Sequence, residues 1–276
     1  MLRRDPKTIV MAHTMDPARK ELYVEGPRDR TFLEWLMTDR KDPNAVIVEI
    51  SAVNINVPME GERGRLMAFA RWIGERPINI LFFADADFDR LLRKSTPIKV
   101  LLTDARDLEG YTLQVKCLDK VLKLGVPTDA IKAKDVLEMV YKAGRLLGLL
   151  RILSVKRSVS LPFQHTKLRR YLSFKSGYIK LDFDAYLKAL MQNAKISLLE
   201  KPQILVALRE IETEFSDVPT EQIIHGKDAF CIIEEVLSHF GVAHNACSRM
   251  MWISFEYNFV VPHSNLDRIR CYLETS

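Results

Sequence analysis

The chain has few cysteines and no long apolar run. Its 276 residues include 4 cysteines, none of them in a Cys-x-x-Cys pair. His244 lies three residues before Cys247 without a second ligand pair, so zinc is not expected and a reducing compartment is favoured. No stretch reaches the roughly 18–20 apolar residues of a membrane helix, and no signal-peptide core follows the charged N-terminus. We therefore expect a cytoplasmic protein that does not contact a membrane.

The chain also lacks a phosphate-binding loop of the Gly-x-x-x-x-Gly-Lys type. We therefore expect that it does not hydrolyse ATP itself. A hydrophobic content of 47% and a charged content of 28% are typical of a folded globular chain. At this length one large domain or two modest ones are expected, and a net charge of +5 is mild.

Acidic residues are missing between Glu138 and Asp182, where ten lysines and arginines occur together with aromatic residues. Basic and aromatic side chains together suit a phosphate backbone and stacked bases. The alternative is a solvated basic face whose aromatic residues belong to the core. The candidates for nucleic-acid binding are Arg157, Lys167, Arg169, Arg170 and Lys175.

The first part of the chain alternates strand and helix patterns, which predicts an α/β fold with a parallel sheet. The predicted strands are Glu21–Val24, Ala45–Ile50, Ile78–Ala84 and Ile98–Thr103. Helices are predicted from about Arg28, over Glu62–Glu75, Lys132–Leu153 and Tyr186–Glu214, and over Asp228–Phe240. Trp252–Phe259 alternates like a strand but also fits a short buried segment. A boundary at Gly125–Thr128 divides a catalytic domain, 1–124, from a mainly helical region, 125–276.

Acidic residues follow three of the predicted strands. Glu25 follows the first, Asp85 and Asp87 follow the third, and Asp107 and Glu109 follow the fourth. The carboxyl ends of parallel strands share one edge of the sheet, where sites of open α/β folds lie. Carboxylates that share a crevice need a cation unless some stay protonated. The pattern therefore favours a site for Mg²⁺, which prefers oxygen ligands.

Each of these groups also has a structural interpretation. Asp29 could simply stabilise the start of a helix, where the helix dipole attracts an anion. Glu25 would then be a solvated side chain without a role in chemistry. Asp85 or Asp87 could cap a following helix, Phe88–Leu92. His225-Gly226-Lys227-Asp228 could be a turn that places Asp228 at a helix start.

The wording and spacing of these motifs resemble TOPRIM-domain nucleases. The similarity lies in Val24-Glu25-Gly26-x-x-Asp29 and Asp85-x-Asp87, followed by Thr103-Asp104-Ala105-Arg106-Asp107-Leu108-Glu109, over roughly residues 20–113. Within that family the chain is most similar to the OLD-like branch, in particular to effector nucleases of PARIS-type anti-phage defence systems. Relatives in this branch often carry a Gly-Lys element after the second strand, whereas this chain reads Ser51-Ala52-Val53-Asn54 there.

The resemblance implies a role for each motif. Glu25 becomes the acid–base residue with Asp29 beside it, and Asp85 and Asp87 become ligands of Mg²⁺, or of Mn²⁺ in its place. Glu109 or Asp107 is expected to assist at the metal. Lys227 corresponds to a downstream element and would neutralise the charge of a phosphorane-like transition state.

The resemblance also implies a biological role. It indicates a toxic effector of abortive infection that cleaves RNA, with tRNA as the candidate RNA, and that an ABC-type ATPase partner holds inactive. A homodimer is expected for the released nuclease. Two alternatives remain open, namely a nuclease directed at DNA and a non-catalytic module that binds nucleic acid or a partner.

Overall fold

The computed structural model describes residues 3–55, 61–126 and 131–274. The chain forms two compact units, of which the first joins Met1–Asp104 to Glu256–Ser276 and the second is Ala105–Phe255. These units divide the chain at 104/105, whereas the sequence suggested 124/125, and the last residues return to the first unit. The suggested boundary lies partly outside the described residues, at 127–130.

The predicted α/β class is confirmed, with an all-parallel sheet flanked by helices and a helical region after it. The strands are β1 (Lys20–Val24), β2 (Ala45–Glu49), β3 (Ile80–Ala84), β4 (Val100–Leu102), β5 (Leu172–Lys175) and β6 (Tyr178–Leu181). The helices are α1 (Pro6–Met15), α2 (Pro27–Leu36), α3 (Gly61–Ile73), α4 (Val115–Gly125), α5 (Ala133–Lys156), α6 (Phe183–Asn193), α7 (Lys201–Glu214), α8 (Gly226–His239), α9 (His244–Ser254) and α10 (Asn265–Leu273).

The sheet of the first unit has the order β2-β1-β3-β4. Strands β1 and β3 lie in the middle and are buried along almost their whole length, which explains their continuous apolar sequence. At the edge, β2 exposes Val46. Helix α2 packs on β2, α3 on β3 and α10 on β4. Helices therefore cover the sheet. The adjacent strands β1 and β3 end side by side at its carboxyl edge.

Three aromatic rings form the centre of the core beside β1 and β3. The centroid of Tyr23 lies 5.0 Å from that of Phe69 and 5.5 Å from that of Phe82, and Phe69 and Phe82 are 5.5 Å apart. Pairs at these distances add to the stability that burial of their area provides. This packing fixes α3 against the two strands that carry the candidate site.

A buried carboxylate, Glu21, lies at the start of β1, far along the strand from Glu25. Arg4 donates to it at 2.8 and 3.1 Å, Arg19 donates at 2.8 Å, and the Tyr23 hydroxyl donates as well. Burial opposes its charge, but these donors prevail and lower the pKa of Glu21 to about 2.

The last segment of the chain completes the first unit. The carboxylate of Asp104 accepts hydrogen bonds from the backbone N–H groups of Asn265 at 2.8 Å and Leu266 at 3.1 Å, at the start of α10. The Tyr272 hydroxyl donates to the carbonyl of Asn79 at 2.6 Å. The acid that directly follows β4 is therefore used to hold a helix end.

The second unit is mainly helical. Its long helix α5 packs against α4, α7 and α8, and α9 packs against α4 and α8. A short antiparallel hairpin, β5–β6, contacts α5 and α8. No helix among the described residues is long and apolar enough to span a membrane.

Three local predictions need correction. The strand pattern of Trp252–Phe259 is wrong, because α9 continues to Ser254 and a 3-10 turn follows. The helical pattern Tyr186–Glu214 is divided into α6 and α7 by a 3-10 turn at Leu198–Glu200. Residues 87–93 form turns, so the helix proposed for Phe88–Leu92 is absent from this described part of the chain.

Candidate active site

Glu25 and Asp85 leave neighbouring strands at the same edge of the sheet. Val24, the last residue of β1, pairs with Phe83 near the end of β3. The next residues of both strands therefore meet, and the backbone N–H of Asp85 donates to Oε1 of Glu25 at 3.1 Å. The structure thus brings together two of the acids that the sequence singled out.

Asp29 lies in the first turn of α2, directly after Glu25. Its Oδ2 accepts a hydrogen bond from the backbone N–H of Gly26 at 2.8 Å, which caps the helix. This contact is the one that the structural interpretation expected. Asp29 also acts on Glu25 electrostatically, because a second negative charge nearby favours the protonated form of that carboxyl group.

The backbone turns sharply after Asp85. Asp87 has φ of 46°, in the left-handed region, and its side chain is 50% exposed. Aspartate tolerates this region better than most residues, but at some cost. The strand is thus not extended through Asp87, so Asp85 and Asp87 do not lie on one strand face, as two positions of an extended strand would. Instead Asp87 is presented to solvent at the rim.

The guanidinium group of Arg63, on α3, lies among these acids. It contacts Oε1 of Glu25 at 3.1 Å, Oδ2 of Asp89 at 2.6 Å and Oδ2 of Asp87 at 3.6 Å. It also donates to the backbone carbonyl of Asp85. Burial opposes the charge of Arg63, but its acidic neighbours raise its pKa further. The acids that follow β1 and β3 therefore converge on one positive side chain.

The carboxyl group of Glu25 has an unusually high pKa. Burial is the largest cause, Arg63 counteracts it in part, and Asp29 and Asp87 add to it, so that the pKa of Glu25 is raised to about 7. The pKa of Glu21, on β1, is shifted the other way, because two guanidinium groups and a hydroxyl donate hydrogen bonds to its carboxylate. The two carboxyl groups near the two ends of β1 therefore have opposite pKa shifts, and only that of Glu25 disfavours its charged form.

The donor atoms around Arg63 are carboxylate and carbonyl oxygens, which is the ligand chemistry of Mg²⁺. As the side chains stand, the described residues include no group of three or more His, Cys, Asp or Glu side chains close enough to hold a metal ion. The positive charge at this point is instead that of Arg63. The residues fit Mg²⁺ in kind, and binding would require the guanidinium to give way.

Asp107 and Glu109 belong to the second unit, where they lie against the start of α8. The backbone N–H of Gly226 donates to Oδ2 of Asp107 at 2.8 Å. A Cβ at Gly226 would lie 2.2 Å from the Cβ of Glu109, so only glycine fits there. The later acidic motif and the His225-Gly226-Lys227-Asp228 element thus meet, although neither spacing predicted it.

This second cluster has its own electrostatics. Burial, together with Arg106, Arg151 and Lys227, lowers the pKa of His225 to about 2, so the imidazole is neutral. Its Nδ1 accepts a hydrogen bond from the backbone N–H of Lys227 at 3.1 Å, while the Lys227 side chain is exposed. Asp228 is buried and binds Arg151 through two hydrogen bonds of 2.7 and 2.8 Å. Asp228 therefore supports the helix start, as the structural interpretation expected.

Acids from other helices neutralise part of the basic stretch. Arg157 pairs with Glu210 at 2.6 Å, and Lys156 pairs with Glu214. Arg169 lies 3.7 Å from Glu235. Helices α7 and α8 thus supply the carboxylates that the stretch itself lacks.

Other cations of that stretch have no such partner. Lys167, Arg170 and Lys175 are exposed, and within the described part of the chain none of them forms an ion pair. Among the aromatic residues, Phe174 is buried, whereas Tyr178 is 73% exposed. The candidates for nucleic-acid binding therefore fall into a paired set and an unpaired set.

Arg63 is the residue that the sequence analysis missed. It sits in Gly61-Glu62-Arg63-Gly64-Arg65 at the start of a helix, where a charged side chain is ordinary. Its partners Glu25 and Asp89 lie 38 and 26 positions away along the chain. No local pattern could therefore have identified it.

No protein-family model matches the chain, and no curated protein is significantly similar to it. Any argument about function therefore rests on the fold and on the arrangement of the acids. The resemblance to TOPRIM nucleases stays a prediction.

Proposed function

We propose that the first unit is a TOPRIM-like, Mg²⁺-dependent nuclease site that hydrolyses phosphodiester bonds. One observation carries the proposal. The acids that follow two adjacent parallel strands converge on a single guanidinium group at the carboxyl edge of the sheet. This is the edge at which open α/β sheets bind their ligands.

The charges at this edge favour a further cation. Among the described residues Arg63 pairs with Glu25, Asp87 and Asp89, and the exposed Lys94 pairs with Asp89 at 3.2 Å. The deficit is visible in the raised pKa of Glu25, which burial and the neighbouring acids cause. A divalent cation would compensate this excess of negative charge.

In the proposed reaction Asp85 and Asp87 would hold Mg²⁺, or Mn²⁺ in its place. Once bound, the metal would polarise the scissile phosphate and lower the pKa of the attacking water. Glu25 would accept the proton of the attacking water, because its pKa of about 7 lies near the pH at which such a base works best. Asp29 fixes the start of α2 beside it. That Lys227, Glu109 or Asp107 takes part stays a prediction.

The substrate and setting follow from the resemblance. The substrate is RNA, with tRNA as the candidate, and the protein is a toxic effector of anti-phage defence that an ABC-type ATPase partner restrains. A homodimer would supply the larger surface that nucleic acid needs. A DNA substrate is the first alternative.

The second alternative is a module without catalysis, and the position of Arg63 favours it. In that case Arg63 is the permanent counter-ion of Glu25 and Asp89, and the acids only brace the loops. This version predicts that Mg²⁺ leaves the thermal stability unchanged.

The test is cleavage of total bacterial RNA and of plasmid DNA by the full chain with Mg²⁺. Glu25→Gln should reduce cleavage by about 10²–10⁴-fold, which is the usual contribution of acid–base catalysis. Glu34→Gln is the matched control, because Glu34 is exposed on α2 and contacts only Arg30 in the described structure. Equal cleavage by Glu25→Gln and wild type would refute the assignment. RNA fragments or nicked plasmid would identify the substrate class.

If the isolated chain cuts neither substrate, expression in bacteria separates the remaining cases. Toxicity that Glu25→Gln abolishes would support a nuclease that needs a partner or a trigger. Growth that both proteins leave unaffected would support the binding module.

A further inference from the structure

The hairpin β5–β6 in the second unit has two chemically different faces. Lys175 lies opposite Tyr178, and Ser173 lies opposite Lys180. Because side chains alternate along a strand, these four residues share one face, which we call the outer hairpin face. The other face carries Leu172, Phe174, Ile179 and Leu181.

The apolar face anchors the hairpin. Leu172 and Phe174 are buried, and the Phe174 ring contacts His239 at 5.0 Å and Phe240 at 5.9 Å between centroids. The turn has φ of 52° at Ser176 and 81° at Gly177, as tight two-residue turns require. The outer hairpin face is therefore held outward by a rigid support.

The outer hairpin face carries charge that is not compensated. Lys175 and Lys180 are exposed, and no carboxylate among the described residues pairs with either of them. At the end of α5, by contrast, Lys156 and Arg157 are paired with acids of α7. The positive charge of the acid-free stretch is therefore compensated there but not at the hairpin.

Tyr178 lies between these two lysines. It is 73% exposed, directly opposite Lys175 and two positions from Lys180 on the same strand. Opposite Cβ atoms in a hairpin are about 5 Å apart, and positions two apart on a strand are separated by about 7 Å. An open aromatic ring is thus flanked on two sides by ammonium groups.

We propose that the outer hairpin face binds single-stranded nucleic acid, with a base stacked on Tyr178 and phosphates on Lys175 and Lys180. Stacking platforms with adjacent cations bind single strands with little regard to sequence. Lys167 and Arg170, exposed and unpaired in the described structure just before β5, extend the positive charge. In the proposed nuclease this face would be a binding surface for the nucleic-acid substrate. That biological role rests on the proposed function.

Binding is measured by fluorescence anisotropy with a labelled single-stranded RNA of about 20 nucleotides, which covers at least one binding site of the usual size. EDTA is present, so no cleavage takes place. Tyr178→Ala should weaken binding by about 5- to 100-fold, whereas Tyr178→Phe should retain it, because stacking needs only the ring.

The lysines are tested by salt dependence. Lys175→Gln with Lys180→Gln should reduce the slope of log affinity against log salt by about 1.4, or 0.7 for each lost phosphate contact. Lys123→Gln with Lys188→Gln removes equal charge from exposed lysines that pair with acids in the second unit, and it should leave the slope unchanged. All variants are compared after their thermal unfolding has been shown to match wild type.

Several outcomes would overturn the proposal. The first two are equal RNA affinity of Tyr178→Ala and wild type, and an equal change of the salt slope in the control variant with Lys123→Gln and Lys188→Gln. The other two concern wild type, namely no binding of the RNA, or binding to an acidic peptide or to anionic vesicles that is as tight as binding to RNA. Binding without cleavage in Mg²⁺, together with expression that leaves bacterial growth unaffected, would refute the nuclease and leave the hairpin assignment intact. Cleavage at the wild-type rate by the hairpin variants would support the nuclease and refute the hairpin assignment.

Discussion

The raised pKa of Glu25 predicts that replacing this residue with glutamine stabilises the protein above neutral pH. Glutamine has the shape of the protonated acid and carries no charge. The wild-type carboxylate must ionise where burial, Asp29 and Asp87 all oppose ionisation, and Arg63 compensates only in part. Residues with such a cost are typical of sites kept for function rather than stability.

The size of the effect follows from proton linkage. Below pH 4.5 Glu25 is protonated in both the folded and the unfolded chain, and its contribution to stability is fully present. As the pH rises towards 7 the unfolded chain releases the proton first, so the free energy of unfolding falls. A pKa difference from 4.5 to about 7 corresponds to a loss of about 3 kcal/mol, which is an upper bound for a side chain that is 23% exposed. Glu25→Gln removes this loss.

The assay is urea unfolding at a series of pH values with EDTA present. Trp35 and Trp72 report on the first unit by fluorescence once Trp252, in the second unit, is replaced by phenylalanine. Glu25→Gln should match wild type below pH 4.5 and exceed it increasingly up to pH 7. Glu34→Gln, on the exposed face of α2, should stay within about 0.5 kcal/mol of wild type throughout.

A constant difference between Glu25→Gln and wild type across this pH range would refute the reasoning, because it would mean that Glu25 titrates normally. Mg²⁺ offers a second check. A metal held by the ionised acids should stabilise wild type above pH 7 by RT ln(1 + [Mg²⁺]/Kd), and Glu25→Gln by less, because one negative charge is missing.

Two further predictions concern the neighbourhoods of the acids. Arg63→Met should destabilise the first unit by about 1–3 kcal/mol in EDTA, since hydrogen bonds to charged groups are lost. Mg²⁺ should then raise the melting temperature more than in wild type; an identical Mg²⁺ response would show that the guanidinium does not occupy the metal position. Gly226→Ala should destabilise the second unit by about 1–3 kcal/mol, because the new Cβ would lie 2.2 Å from that of Glu109. Unaltered unfolding of Gly226→Ala in urea would contradict that close contact.

Much of the first unit could be predicted from sequence because its central strands are buried on both faces. Such strands read as short apolar runs, and β1 and β3 end where the sequence placed them, at Val24 and Ala84. The acids that follow them were recognised for the same reason, since an abrupt change from apolar to acidic marks a strand end.

What could not be predicted depends on contacts between distant residues. The acids that neutralise Lys156 and Arg157 lie 58 and 53 positions further on, so the stretch looked uniformly basic. The pattern of Trp252–Phe259 failed because alternation over a few residues does not distinguish a strand from a helix end followed by a turn. The position of Arg63 among three carboxylates depends on how α3 packs on β3, which no local rule supplies.

The return of Glu256–Ser276 to the first unit has a consequence for the order of events during synthesis. Helix α10 covers β4, and the N–H groups at its start are the partners of Asp104, yet Asn265 lies 161 positions after Asp104 along the chain. Domains fold as units while the chain emerges, so Ala105–Phe255 can fold while the first unit still lacks its final helix. The packing of α10 on β4 can thus form only after the whole second unit has been synthesised.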